Sequence, residues 1–245
     1  MALMRTANPA LNATTFSGSA SGEEAMTVQG SVQKTALLLI LLVAASCWTW
    51  RQAGNPAAML PWLLIGGVGG FIVGLVTIFK KAWAPVTAPL YAVLEGLALG
   101  GLSAFFEMRY PGIVIQAVGL TFGTLAALLL AYSSGFIKVT QNFRLGVVAA
   151  TGGIAILYLV DIIMMFFGHR IPMIHESGTV GILFSLFVVT IAALNLVLDF
   201  DFIEQGAQSN QPKYMEWYAG FGLMVTLIWL YLEILRLLAK SRDRK

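Results

Sequence analysis

Seven apolar runs, separated by short clusters of glycine, proline and charge, fill most of the chain: residues 35–50, 57–79, 86–106, 113–136, 145–167, 179–203 and 217–239. Most approach the ~20 residues an α-helix needs to cross the hydrocarbon of a bilayer. Runs of that length predict helices rather than the short alternating strands of a barrel. The first run is the shortest, and its helix is expected to reach back through Val32. Breakers lie at Gly54-Asn55-Pro56, Pro85 with Pro89, Pro111-Gly112, Pro172, and from Gly206 to Pro212. The links are short, so helices adjacent in sequence are expected to be neighbours in space. The predicted organisation is a polar, mostly disordered tail over 1–33, a seven-helix transmembrane domain over 34–240, and a basic C-terminal tail over 241–245. The tail has no apolar stretch of the kind a secretory signal needs. Asn12-Ala13-Thr14 matches the glycosylation sequon and is read as a chance match.

Composition supports this reading. Apolar residues make up 58% of the 245 and Asp, Glu, Lys and Arg only 11%, with a mean hydropathy of +0.80. A soluble domain carries roughly a quarter charged residues. A cytosolic enzyme, a disordered chain and a nucleic-acid binder are therefore excluded. The single cysteine, Cys47, excludes a disulfide framework and cysteine-based metal sites. The loops on the side of the N-terminal tail carry Lys80, Lys81, Lys138, Arg144 and Lys213, against Arg51, Arg109 and Arg170 on the other. That excess predicts a cytoplasmic N-terminus with seven full crossings. The basic C-terminal residues, Lys240, Arg242, Arg244 and Lys245, argue the reverse.

Small residues recur at helical spacing. Gly66, Gly70 and Gly74 share one face of the second span, and Gly96 with Gly100 and Gly119 with Gly123 repeat the pattern. Such faces let two backbones approach closely, and bundle packing is their expected role. A smooth face on which a gating helix slides is the functional alternative. Tryptophans at span ends read as interface anchors.

Six charged residues fall inside the apolar runs: Glu95, Asp161, Asp199, Asp201, Glu233 and Arg236. Charges at membrane depth are expensive and usually face a bundle interior or a watery cavity, which marks them as candidates for a pH sensor or ion path. Each acid also has a plainer reading. Asp201 and Asp161 are near enough to span ends to be solvated by headgroup water. Glu233 has Arg236 one turn on, so an intrahelical ion pair is open to it. The two histidines, His169 and His175, share one loop, too few and too shallow for a zinc hydrolase in a bundle. Nucleophile–base pairs at depth and phosphate-cradling loops are lacking, and the chain is expected not to be an enzyme and to need no cofactor.

LNLVLDFDFIEQG (residues 194–206) followed by LIWLYLEILRLL (227–238) resembles the end of the Bax-inhibitor family, the transmembrane Bax inhibitor motif proteins. Asp199 and Ile203 match an aspartate followed four residues later by isoleucine in helix six. Leu230, Tyr231, Leu232, Glu233 and Arg236 match a leucine–aromatic–leucine–acid pattern with an arginine soon after. Asn8-Pro9, Met26 to Gly30, and Glu95 in APLYAVLEGLALGG look like a bacterial branch with a longer tail. The resemblance implies a seven-helix bundle with the last helix central, in a bacterial plasma membrane. It also implies a pH-sensitive calcium leak in which Asp199 and Glu233 are the sensor and, when ionised, ligands for passing calcium. The chain departs from the family in having Glu233 rather than aspartate, a longer separation between the two acids, and no arginine in the second span. Counting depth along the helices favours other pairs, Asp161–Glu233 or Glu95–Glu233. Beside the leak stand two alternatives: a non-transporting regulator that binds a membrane protease or a stress or cell-death partner, and a proton-coupled transporter.

Overall fold

The computed structural model describes residues 25–169 and 171–244. The sequon and Asn8-Pro9 lie outside the described residues. The long helices are α1 (Val28–Trp50), α2 (Pro56–Phe79), α3 (Ala84–Arg109), α4 (Ile113–Ser133), α5 (Gln141–Phe166), α7 (Thr179–Gln208) and α8 (Met215–Asp243). A 3-10 turn, Lys81–Trp83, precedes α3, and α6 (Pro172–His175) is a single turn. All seven long helices are long and apolar enough to cross a membrane. The protein is an all-α integral membrane protein with seven spans.

Two helices outrun the sequence pattern furthest. α1 begins at Val28, inside the expected polar tail, because Thr27 caps it: its hydroxyl accepts the Gly30 N–H. α7 continues five residues past the expected end at residue 203, to Gln208. Hydropathy sees only the apolar stretch, whereas the backbone ladder runs on through Glu204, Gln205 and Gln208, residues that favour helix in water.

The chain divides into two compact units, one built from residues 25–111 with 201–225 and the other from 112–200 with 226–244. In the first unit, glycine decides the packing. A Cβ on Gly66 would stand 2.5 Å from the Leu94 carbonyl oxygen and 2.6 Å from the Ala98 nitrogen of α3. Gly70 makes room for the side chain of Glu95, and Gly74 for the ring of Tyr91. On the other side of α3, Gly96 and Gly100 press on the backbone of α1 at Leu42 and Ser46. The Ser46 hydroxyl donates to the Gly96 carbonyl at 3.0 Å and seals that contact. These glycines are packing positions. Gly119 and Gly123 differ: a Cβ on either meets nothing within 4 Å.

In the second unit, Ile154 of α5 packs with Val188 and Ile191 of α7, flanked by Tyr158, Phe184 and Trp229. Asn195 donates to Thr151 Oγ1 and to the Ile191 carbonyl, each at 2.8 Å, which ties α7 to α5 through a buried amide. Replacing Gly66 with valine is expected to lower the stability of the detergent-solubilised protein by about 1–3 kcal/mol, since backbone atoms cannot yield. Gly67→Ala, whose added methyl meets nothing within 4 Å, should leave the thermal midpoint unchanged. A thermal unfolding series on the two variants checks this.

Candidate functional site

The charged side chains of the spans each acquire particular partners. Glu233 is 1% exposed on α8. Its carboxylate accepts from Arg236 Nη1 at 3.0 and 3.1 Å and from the Tyr158 hydroxyl at 2.9 Å. Arg236 Nη1 also donates to the Tyr158 hydroxyl at 2.7 Å, and its guanidinium lies 5.3 Å from the centre of that ring. Carboxylate, guanidinium and phenol thus close a ring of hydrogen bonds between α8 and α5. The helical spacing 233–236 brings the ion pair about, but only tertiary packing brings Tyr158. One turn beyond Arg236, Lys240 is buried, donating to the Gly181 carbonyl at 3.1 Å and to Ser185 Oγ at 2.9 Å.

Asp161, five residues before the end of α5, takes different partners. It accepts the Ile171 N–H at 3.0 Å and lies 2.7 Å from His175 Nε2. Its contacts with Ile171 and His175 lead to the α5–α7 loop, whereas those of Glu233 lead to Tyr158 and Arg236. Asp199 of α7 is 1% exposed in the same unit as Glu233. The longer α7 puts it nine residues from the helix end instead of the four expected from hydropathy, about 14 Å along the axis. Glu233 is eighteen residues from the start of α8, about 27 Å along its own axis. Glu95 belongs to the first unit, where Tyr91, one turn earlier, hydrogen-bonds its carboxylate and Gly70 gives it room. Asp201 accepts from Gln205 at 2.6 Å, a local pair on the outer part of α7.

One acid escaped the sequence reading. Glu216, just ahead of the seventh apolar run, is 1% exposed. Its Oε1 accepts from the Thr27 N–H at 3.0 Å and the Thr27 hydroxyl at 2.9 Å, with Lys213 Nζ at 3.4 Å. The carboxylate occupies the space that a side chain on Gly30 would need. Met26 donates its N–H to the Gln211 carbonyl at 2.6 Å, beside a bridge between Ala25 and Pro212. An acid in the first turn of a helix is common on dipole grounds alone, so its inward orientation had no sequence signal. Tyr158 and His175 were equally silent, since nothing local marks a tyrosine or a loop histidine as the partner of a distant acid.

The family description that matches the chain is Bax inhibitor 1 like, over residues 8–243. The chain belongs to this family. None of the curated proteins matches it significantly. The Bax inhibitor 1-like match spans both units, including the strap at residues 25–30 and all the charged residues described above.

Among the described residues, no group of three or more His, Cys, Asp and Glu side chains is arranged to hold a metal ion. The buried charges of this Bax inhibitor 1-like chain are instead paired with arginine, lysine, histidine, hydroxyl and backbone groups. Arg236→Gln should leave the Glu233 carboxylate buried without its cation and lower stability by about 1–3 kcal/mol. Adding Glu233→Gln should recover most of that loss, because the uncompensated charge is gone. Thermal unfolding of the two single variants and the double variant measures the coupling.

Proposed function

We propose that the protein is a pH-sensitive cation leak of the Bax-inhibitor type, passing calcium, in which Asp199 and Glu233 sense the proton. The observation that carries this reading is the Glu233 cluster. A carboxylate 1% exposed inside a membrane span is held by an arginine and a tyrosine, with a second acid, Asp199, equally buried in the same unit. Intramembrane acids of this kind are costly to keep and mark ion and proton paths. Protonation of Glu233 takes away the charge that Arg236 meets, so the tie between α8 and α5 changes strength with pH. Calcium here is cargo: it takes six to eight oxygen ligands, and the two carboxylates would supply part of a transient shell with water completing it. No catalytic step is assigned to the protein. A second reading, a non-transporting regulator, draws on the contacts that fix the chain at residues 26–27 to the α7–α8 corner.

Purified protein in calcium-free liposomes, assayed over a pH series, tests the leak. Wild type should admit calcium with a clear pH dependence. Asp199→Asn and Glu233→Gln should each flatten that dependence, and the double variant should be no worse than either, since the acids act as one unit. Calcium exclusion by wild type at every pH would select the regulator. An unchanged profile in Asp199→Asn, with a lost profile in Asp161→Asn or Glu95→Gln, would transfer the sensor to those acids.

We place the protein in the bacterial plasma membrane with its N-terminus in the cytoplasm, on the strength of the loop lysines and arginines. Single cysteines at Ser134 or Ser209, in a Cys47→Ala background, should resist an impermeant maleimide added to intact cells and react after permeabilisation.

A further inference from the structure

The α5–α7 loop folds back onto the helix it has just left. Gly168, at φ 76°, lets the chain reverse, and the His169 N–H bonds the Met164 carbonyl at 3.0 Å. Left-handed geometry of this kind suits glycine. The reversal carries two groups to one acid: the Ile171 N–H, 3.0 Å from Asp161 Oδ1, and His175 Nε2, 2.7 Å from Asp161 Oδ2. Pro172 starts the single turn of α6, and Ile174 within it is 4% exposed, so the turn is pinned while the imidazole is held at its end. The carboxylate side chain is 12% exposed and the imidazole 39%, so the acid is interior and the histidine is open to water.

We propose that Asp161 and His175 form a pH-sensitive latch that fastens the α5–α7 loop to the end of α5. Histidine is the side chain that ordinarily changes charge between pH 5 and 8. With the imidazole charged the contact is an ion pair as well as a hydrogen bond, and with the imidazole neutral the hydrogen bond to the carboxylate remains without the opposite charge. The sign follows directly. The extra hold is present on the acid side of the histidine transition and is lost as pH rises through it, while Asp161 keeps the Ile171 N–H on both sides.

On the loop itself the sequence also carries His169, Arg170 and Glu176. From the end of α8, Asp243 faces Ser177 at 3.5 Å, and Lys240 is committed to Gly181 and Ser185 at the start of α7. The α7 partners do not titrate. Asp161 is the acid that His175 contacts. The latch is independent of whether the bundle conducts, because its readout is loop motion.

A nitroxide at His169→Cys in a Cys47→Ala background reads that motion in the full-length protein in nanodiscs. The chain has two histidines, so His175 is then the only imidazole left. The ratio of immobilised to mobile spin label should fall roughly fivefold between pH 5.5 and pH 8. His175→Gln, at a largely open position that the fold does not need, should make the ratio independent of pH over that range. Asp161→Asn should do the same and leave the label mobile throughout. A pH-independent ratio in the parent, or a pH response that survives in His175→Gln, overturns the latch.

Discussion

The hydrocarbon of a bilayer offers no hydrogen-bond partner, so each polar group carried into a span must be met within the protein or drawn to its edge. The described residues meet this constraint in three ways, with the buried hydroxyls of Thr49 and Tyr218 left without a hydrogen-bond partner. Hydroxyls such as Thr35, Thr77 and Thr121 bond back to carbonyls four residues earlier on their own helices. Asn195 meets Thr151 and a carbonyl of its own helix. The charges gather into small clusters, each with a different arrangement of partners.

Those arrangements separate the acids by what they can do. Glu233 has a permanent cation on its own helix and a phenol from α5, so its environment is fixed by two side chains that also bond each other. Asp161 has a backbone N–H and an imidazole from a loop that water reaches, so its environment changes with the charge of the histidine. Glu216 has Thr27 and Lys213 at the start of α8 and fixes where the chain enters α1. A buried carboxylate therefore says little by its burial alone. The identity of its partner, a guanidinium, an imidazole or a hydroxyl, decides which charge holds it and whether the partner's own charge can change.

Glycine makes the clusters of the first unit reachable. A side chain at Gly70 would crowd Glu95 against α2, and one at Gly30 would take the place of the Glu216 carboxylate that reaches Thr27. The close approach of α2 and α1 to α3 is thus not only a packing device. It also admits acids into spaces that a methyl group would fill. The same residue type on α4, at Gly119 and Gly123, meets open space and has no such role.

The class, the number of spans and the approximate helix limits are legible in the sequence, because hydropathy and breakers are local properties that the bilayer enforces along the chain. The sequence also located the intramembrane acids and the glycine faces of α2 and α3. It missed the start of α1 and the end of α7, where capping and helix propensity continue past the apolar stretch. The partners of the acids were decided only by tertiary structure. Tyr158 is 75 residues from Glu233, and Thr27 is 189 from Glu216. Even His175, 14 residues from Asp161, reaches it only because the chain reverses at Gly168. Helical spacing could foresee the Glu233–Arg236 pair, since residues three apart on a helix are neighbours on one face. No periodicity links two helices, so a hydrogen bond between them becomes visible only once the helices are packed.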